Sequence, residues 1–209
     1  MTLHKLPKLL VVAAVTISYV IASSPTIGVA SAVGTFMVNS SEVEGNANLF
    51  DGSRIRTDKA SSKVYLMSGA SLVLGVNSAG TIYSDHFTLN QGAAKVDNLT
   101  GYAIHADRYE IRQGKPSSQA VVRIDKGSVE IAALTGSLNI FDERGVLLTR
   151  ISAGTASSFQ SGLSTLPSGA SADNNNRKKV AALYLLGGSA LAGLGLATDA
   201  ILQGSSTSP

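Results

Sequence analysis

The sequence predicts an all-β protein, an exported β-sandwich or β-roll of short antiparallel strands with an apolar segment at each end. Three observations carry this reading. Between about Gly34 and Phe159 apolar residues recur at every second position and no helical period persists. Glycine-bearing turn dipeptides separate these runs at a spacing of roughly ten residues, the rhythm of a sandwich, barrel or roll. Two long apolar runs, Leu9 to Ala22 and Val180 to Thr198, stand towards the two ends of the chain.

The first element is the apolar run from Leu9 to Ala22, preceded by Lys5 and Lys8 in the layout of a secretory signal. Small residues allow cleavage after Ala22, with Val20 two before it, or after Ala32, with Ala30 two before it. An uncleaved anchor is the alternative, because no charge occurs between Lys8 and Glu42 and apolar character resumes beyond Pro25 as far as Val33. Residues 1–33 are therefore expected to be a signal peptide or signal anchor, and the domain that follows to lie outside the cytoplasm.

Residues 34–160 supply the strands. Val64 and Leu66, Leu72 and Leu74, Phe87 and Leu89, Tyr109 and Ile111, Val129 and Ile131, and Leu138 and Ile140 each share a parity, so each segment offers one apolar and one polar side. Asp51-Gly52, Ser68-Gly69, Gln91-Gly92, Lys126-Gly127 and Arg144-Gly145 stand between them as expected turns, where glycine tolerates positive φ. Gly154 closes a last pair of strands. No room is left for crossover helices, which excludes a parallel α/β sheet. The stretch LFDGSRIRT, residues 49–57, is not a phosphate-cradling loop, since alternation and not a helix follows its glycine. Leu49 and Ile55 are expected to face inward and Arg54 and Arg56 outward. With Lys59 and Lys63 these arginines form either a solvated sheet face or a basic patch for an acidic envelope polymer or lipid head group.

Residues 161–179, rich in Ser, Gly, Ala and Asn and ending in Arg177, Lys178 and Lys179, read as a flexible linker. Val180 to Thr198 carries no charge and is long enough to cross a bilayer, which makes 180–203 a transmembrane candidate and 204–209 a tail. Ser189, Gly193 and Ala197 fall four apart and line one helix face with small residues, suited to close helix packing and self-association. An Ala-rich tail docked on protein is the alternative. The basic cluster before this run would sit on the exported side, against the positive-inside rule.

Composition narrows the function. In 209 residues, 17 Lys and Arg against 14 Asp and Glu leave a net charge of +3, without the basic block that a nucleic-acid partner requires. The absence of cysteine removes disulfides, thiolate nucleophiles and zinc-thiolate sites. No nucleophile elbow, zinc-protease helix, Walker loop or dinucleotide fingerprint can be read. His4 belongs to the leader. His86 beside Asp85 and His105 near Asp107 lack ligand spacing, and Asp85, Asp107, Glu110, Asp125 and Glu130 are scattered. The expectation is a non-enzymatic protein with no cofactor and no metal.

The succession of segments resembles the FecR family of periplasmic domains. It begins with GTFMV, continues with Leu49, Gly52, Ile55 and Thr57 in the pattern Leu-x-x-Gly-x-x-Ile-x-Thr, and then runs through KVYLMSGASLVL and LNQGAAKV. It ends with VVRIDKGSVEI, containing Gly127 and Val129, and LLTRISAGTA, containing Gly154. The resemblance implies an all-β domain at the periplasmic face of the bacterial inner membrane, in a family that signals across it. A FecR-type regulator carries a helical sigma-factor-binding region before its membrane span and a receptor-contacting domain after the β region. Here eight residues precede the apolar run, Gly162 to Asn176 reads as linker, and the family's Gly-Thr-x-Phe element is missing around RQGKPSSQAVV. The expected protein is a non-catalytic, membrane-tethered FecR-like envelope module that binds or senses an envelope protein or polymer; a reduced FecR-type transmembrane signalling regulator is the alternative.

Overall fold

The computed structural model describes residues 24–160. Residues 1–23 of the leader, the linker and the run Val180 to Thr198, with Ser189, Gly193 and Ala197, lie outside the described residues. Among the described residues there is no helix long and apolar enough to cross a membrane. They form fourteen strands: β1 Thr26–Val38, β2 Ser41–Phe50, β3 Ser53–Arg56, β4 Ser62–Leu66, β5 Ser71–Leu74, β6 Ala79–Ile82, β7 His86–Asp97, β8 Ala103–Ala106, β9 Tyr109–Gln113, β10 Gln119–Asp125, β11 Ser128–Thr135, β12 Ser137–Phe141, β13 Leu147–Ser152 and β14 Thr155–Gln160.

Alternation sets the strands' faces. Leu49, Ile55, Val64, Leu66, Leu72, Leu74, Phe87, Leu89, Tyr109, Ile111, Val129, Ile131, Leu138 and Ile140 are all buried in one continuous core. That single core arises because the fourteen-stranded sheet folds over itself. β4 and β3 pair in turn with β1, β5 and β6 pair in turn with β7, and β4–β5 and β3–β6 complete a closed circuit of pairings, a small barrel-like unit. The long strands β1 and β7 contribute to both layers by bending at bulges, between Ala32 and Thr35 in β1 and opposite the Ala79–Gly80 step in β7. The second half repeats the device. β9–β10, β11–β12 and β13–β14 each send one segment to either layer, and Tyr109 of β9 packs across the core on Phe159 of β14 at 4.8 Å between ring centroids.

Buried serines and a threonine hold both corners. At the first, Thr57 Oγ1 donates to the Gly75 carbonyl at 2.5 Å and accepts from the Ser78 amide at 2.9 Å, while Ser78 Oγ accepts from the Ala93 amide at 3.0 Å. At the second, Ser118 Oγ donates to the Ser137 carbonyl at 2.8 Å and accepts from the Ser137 amide at 3.2 Å. A glycine gives each serine its space: a Cβ on Gly92 would lie 2.4 Å from Ser78 Oγ, and one on Gly136 2.3 Å from Ser118 Oγ.

Four sequence expectations are corrected. The β domain begins at Thr26 and not at 34; Ala30 is fully buried, and β1 is paired on both sides, by β2 and β4, so its small apolar residues read as a continuation of the leader. The strands are not all antiparallel, since β7 and β8 pair parallel from His86–Ala103 to Leu89–Ala106. A parallel pair ordinarily requires a long crossover, but the bend in β7 brings its two ends together and the loop Asn98 to Tyr102 suffices. Gln91-Gly92 is not a hairpin turn; it lies inside β7 at the bend. Asp51-Gly52 links β2 to β3, which do not pair with each other, and so joins two layers where a hairpin was expected.

The earlier start of β1 has a measurable result. Of the two cleavage positions, only the one after Ala22 leaves β1 whole. Residues 24–160 expressed alone are expected to show a β-type far-ultraviolet dichroism spectrum and one cooperative thermal transition. Residues 34–160 lack Ala30 and the β1 residues that pair with β4 and are expected to lose that transition; an equally cooperative melt for both fragments would show β1 before residue 34 to be dispensable.

Candidate functional site: an arginine-walled groove and an adjacent histidine stack

β3 carries Ser53 and Ile55 inward, 2% and 1% exposed, and therefore Arg54 and Arg56 outward. Register places them in two cross-strand rows on one face. Arg56 follows Met37 and is followed by Ala79 and Gln91; Arg54 is followed by Thr81, Thr88, His105 and Glu110. β6 presents only Ala79 and Thr81 on this face, so it lies low between the arginines of β3 and Asn90 and Gln91 of β7. The result is a groove with two adjoining clefts. One, of about 490 Å³, includes Met37, Glu42, Arg56, Asp58, Asn77 and Gln91 in its lining. The other, of about 250 Å³, is lined by Met37, Ser40, Arg54, Arg56, Thr81 and Asn90 together with Ile55, Ala79 and Gly80, and by no carboxylate.

Most arginines in the described residues have partners. Arg108 stands 3.8 Å from Asp107, Arg112 2.5 Å from Glu110, Arg123 4.0 Å from Asp125 and Arg144 2.8 Å from Asp142, and Arg150 donates to Asn139 Oδ1 at 2.9 Å. Among the described residues, the side chains of Arg54 and Arg56 have none. Their backbone is held firmly: the Asn39 amide donates to the Arg54 carbonyl and the Arg54 amide to Asn39 Oδ1, both at 2.9 Å.

Further along the same face three rings stack. Tyr83 lies 4.3 Å from His86, and His86 4.4 Å from His105, centroid to centroid. Thus β7 and β8 bring together two histidines that the sequence paired with Asp85 and Asp107. Asp85 does meet His86, at 2.7 Å, and this hydrogen bond holds its carboxyl below the usual range. His105 meets Glu110 at 3.8 Å, and not Asp107. Tyr102 donates to the His86 carbonyl at 2.8 Å and fixes the turn beneath the stack; its own burial pushes its phenol up. Among the described residues no group of three or more His, Asp or Glu is placed to hold a metal ion.

Burial first and the His86 ring second push His105 below its ordinary value of 6.5, against the opposing pull of Glu110. A histidine depressed in the fold contributes stability that is complete above 6.5 and is lost as pH falls through its folded pKa. Unfolding midpoints in urea are expected to decline as pH drops from neutrality through that window, and the decline to be shallower in His105→Gln. Identical pH profiles for the two proteins would remove His105 from the account.

The five turn glycines all have positive φ: Gly52 at 79°, Gly69 at 88°, Gly92 at 82°, Gly127 at 77° and Gly154 at 72°. Gly69 and Gly127 sit in the β4–β5 and β10–β11 hairpins, Gly52 and Gly154 in links between layers, and Gly92 within β7. None of them enters the lining of either cleft. Ser40, Thr81 and Asn90 of the groove were not singled out from the sequence; the only local signal was the small-residue stretch Ala79-Gly80-Thr81.

No protein-family model matches the chain, and no curated protein matches it. Two crystal structures of proteins from Parabacteroides distasonis ATCC 8503, each provisionally described as an anti-sigma factor, are similar in fold. One has a TM-score of 0.49 and 14% identity over 64% of this chain, the other 0.48 and 12% over 62%. The chain spans 64% of the length of each.

Proposed function

We propose that this protein is a non-catalytic, FecR-like module of the bacterial cell envelope, exported and held at the periplasmic face of the inner membrane, that binds or senses another envelope component. The observation that carries the reading is the groove over β6. Two arginines without side-chain partners among the described residues stand on a backbone locked by hydrogen bonds and ladder pairing, on a face that no other part of the described chain covers. The leader and the run Val180 to Thr198 support export and tethering, and the small face Ser189, Gly193, Ala197 supports helix association there.

The test is photo-cross-linking in intact cells, with a photoreactive amino acid placed at Thr81 on the groove floor or at Lys126 in the β10–β11 hairpin. A discrete cross-linked species in the membrane fraction is expected from Thr81 and not from Lys126. Diffuse or equal labelling from both positions would remove the groove as the binding face. Recovery of a sigma factor would favour the regulator over the envelope module.

A further inference from the structure

We propose that the groove over β6 takes an extended acidic peptide segment whose carboxylates stand two residues apart, with Arg54 and Arg56 each holding one. This rests on reading the protein as a binding module and names the ligand of that same face. The first argument is metric. Arg54 and Arg56 are alternate residues of one strand, so their side chains leave the sheet roughly 6.8 Å apart, which is also the repeat between like-facing side chains of an extended peptide. A guanidinium pairs with a carboxylate through two parallel hydrogen bonds, so two of them at that spacing select both charge and register.

The second argument concerns what the site need not give up. Neither guanidinium has an internal partner among the described residues, so binding breaks no ion pair within them. The floor of Ala79, Gly80 and Thr81 carries only small side chains, which leaves room for a main chain, and Asn90 lines the same cleft. The third argument limits the ligand's charge. Glu42 and Asp58 line the adjoining cleft, so a long polyanion continuing along the groove would meet carboxylates. A short acidic segment in a peptide of otherwise neutral residues would not.

The experiment is fluorescence anisotropy on the full chain in detergent micelles, with a labelled synthetic peptide that carries one Asp-Thr-Asp segment, and no other charged side chain, among neutral residues. Arg54→Ala and Arg56→Ala are each expected to weaken binding about tenfold, and the double variant about a hundredfold, as for loss of hydrogen bonds to charged groups. Arg144→Ala, at the remote β12–β13 turn, is expected to bind like the native chain. A peptide of the same composition with its Asp residues adjacent is expected to bind about tenfold more weakly, because only one guanidinium is reached. Unchanged melting temperatures of the arginine variants, expected for exposed unpaired side chains, keep a folding defect from imitating the result. Equal affinity for the two peptides, no binding by the native chain, or stronger competition by a polyuronate than by the peptide would overturn the proposal. If cross-linking from Thr81 persists while the peptide fails, the ligand class is wrong and the binding module stands; if cross-linking fails as well, both fall.

Discussion

Gly92→Val is expected to cost about 2–6 kcal/mol, the sum of backbone strain and overpacking of about 1–3 kcal/mol each, in a fold whose whole stability is of the order of 5–15 kcal/mol. Gly92 has φ 82° and sits where β7 bends between layers; a Cβ there would lie 2.4 Å from Ser78 Oγ and 2.7 Å from the Asn77 carbonyl oxygen. Backbone lies on the far side of the clash, so no side chain can swing away to relieve it. Gly127 is the control. Its φ of 77° is similar, but nothing stands within 4 Å of a Cβ, and Gly127→Ala is expected to cost only about 1–2 kcal/mol of left-handed strain. Urea denaturation of the two variants distinguishes the cases: equal losses would mean that the first corner is not packed as described.

The second large effect is expected for Thr57→Val. The side-chain volume is almost unchanged, yet the hydroxyl that donates to the Gly75 carbonyl at 2.5 Å and accepts from the Ser78 amide at 2.9 Å is lost. Thr57 is 2% exposed and Ser78 fully buried, so water does not replace it. Two buried polar groups left unpaired, at about 1–3 kcal/mol each, predict a loss of roughly 2–6 kcal/mol. Thr57→Ser keeps the hydroxyl and is expected to lose less than about 1.5 kcal/mol through its missing methyl. Hydrogen exchange provides a second readout, because the Ser78 amide should lose protection in Thr57→Val and retain it in Thr57→Ser. Equal stability of the two variants would show that the corner is held by the strand ladder alone.

These two residues also mark how far the sequence could be read. Thr57 stood out as the last member of the Leu49, Gly52, Ile55, Thr57 pattern, but what it does required Gly75 and Ser78, which approach it only through the bent hairpin. Gly92 is legible as a positive-φ position but not as a bend, because a glycine beside Gln91 looks the same locally whether the chain reverses or merely bends. Parity opposite to that of Ile55 sets Arg54 and Arg56 outward, as the strand shows. Their lack of partners was not legible, since pairing depends on which carboxylates register brings alongside: Glu110 lies in the same row as Arg54 but bonds Arg112 instead.

The sequence by itself determined that the middle of the chain is all β, which residues of β3, β4, β5, β7, β9, β11 and β12 face inward, and where the β4–β5, β10–β11 and β12–β13 hairpins turn. Alternation and positive-φ glycines are local properties, carried by residues next to one another, and they survive any arrangement of the strands. Tertiary structure alone decided that β1 begins inside the apparent leader, that β7 and β8 pair parallel, that two corners fold one sheet into two layers, and that His86 stacks on His105. Each of these depends on contacts between residues distant in the chain, formed only when the sheet folds over to enclose a common core.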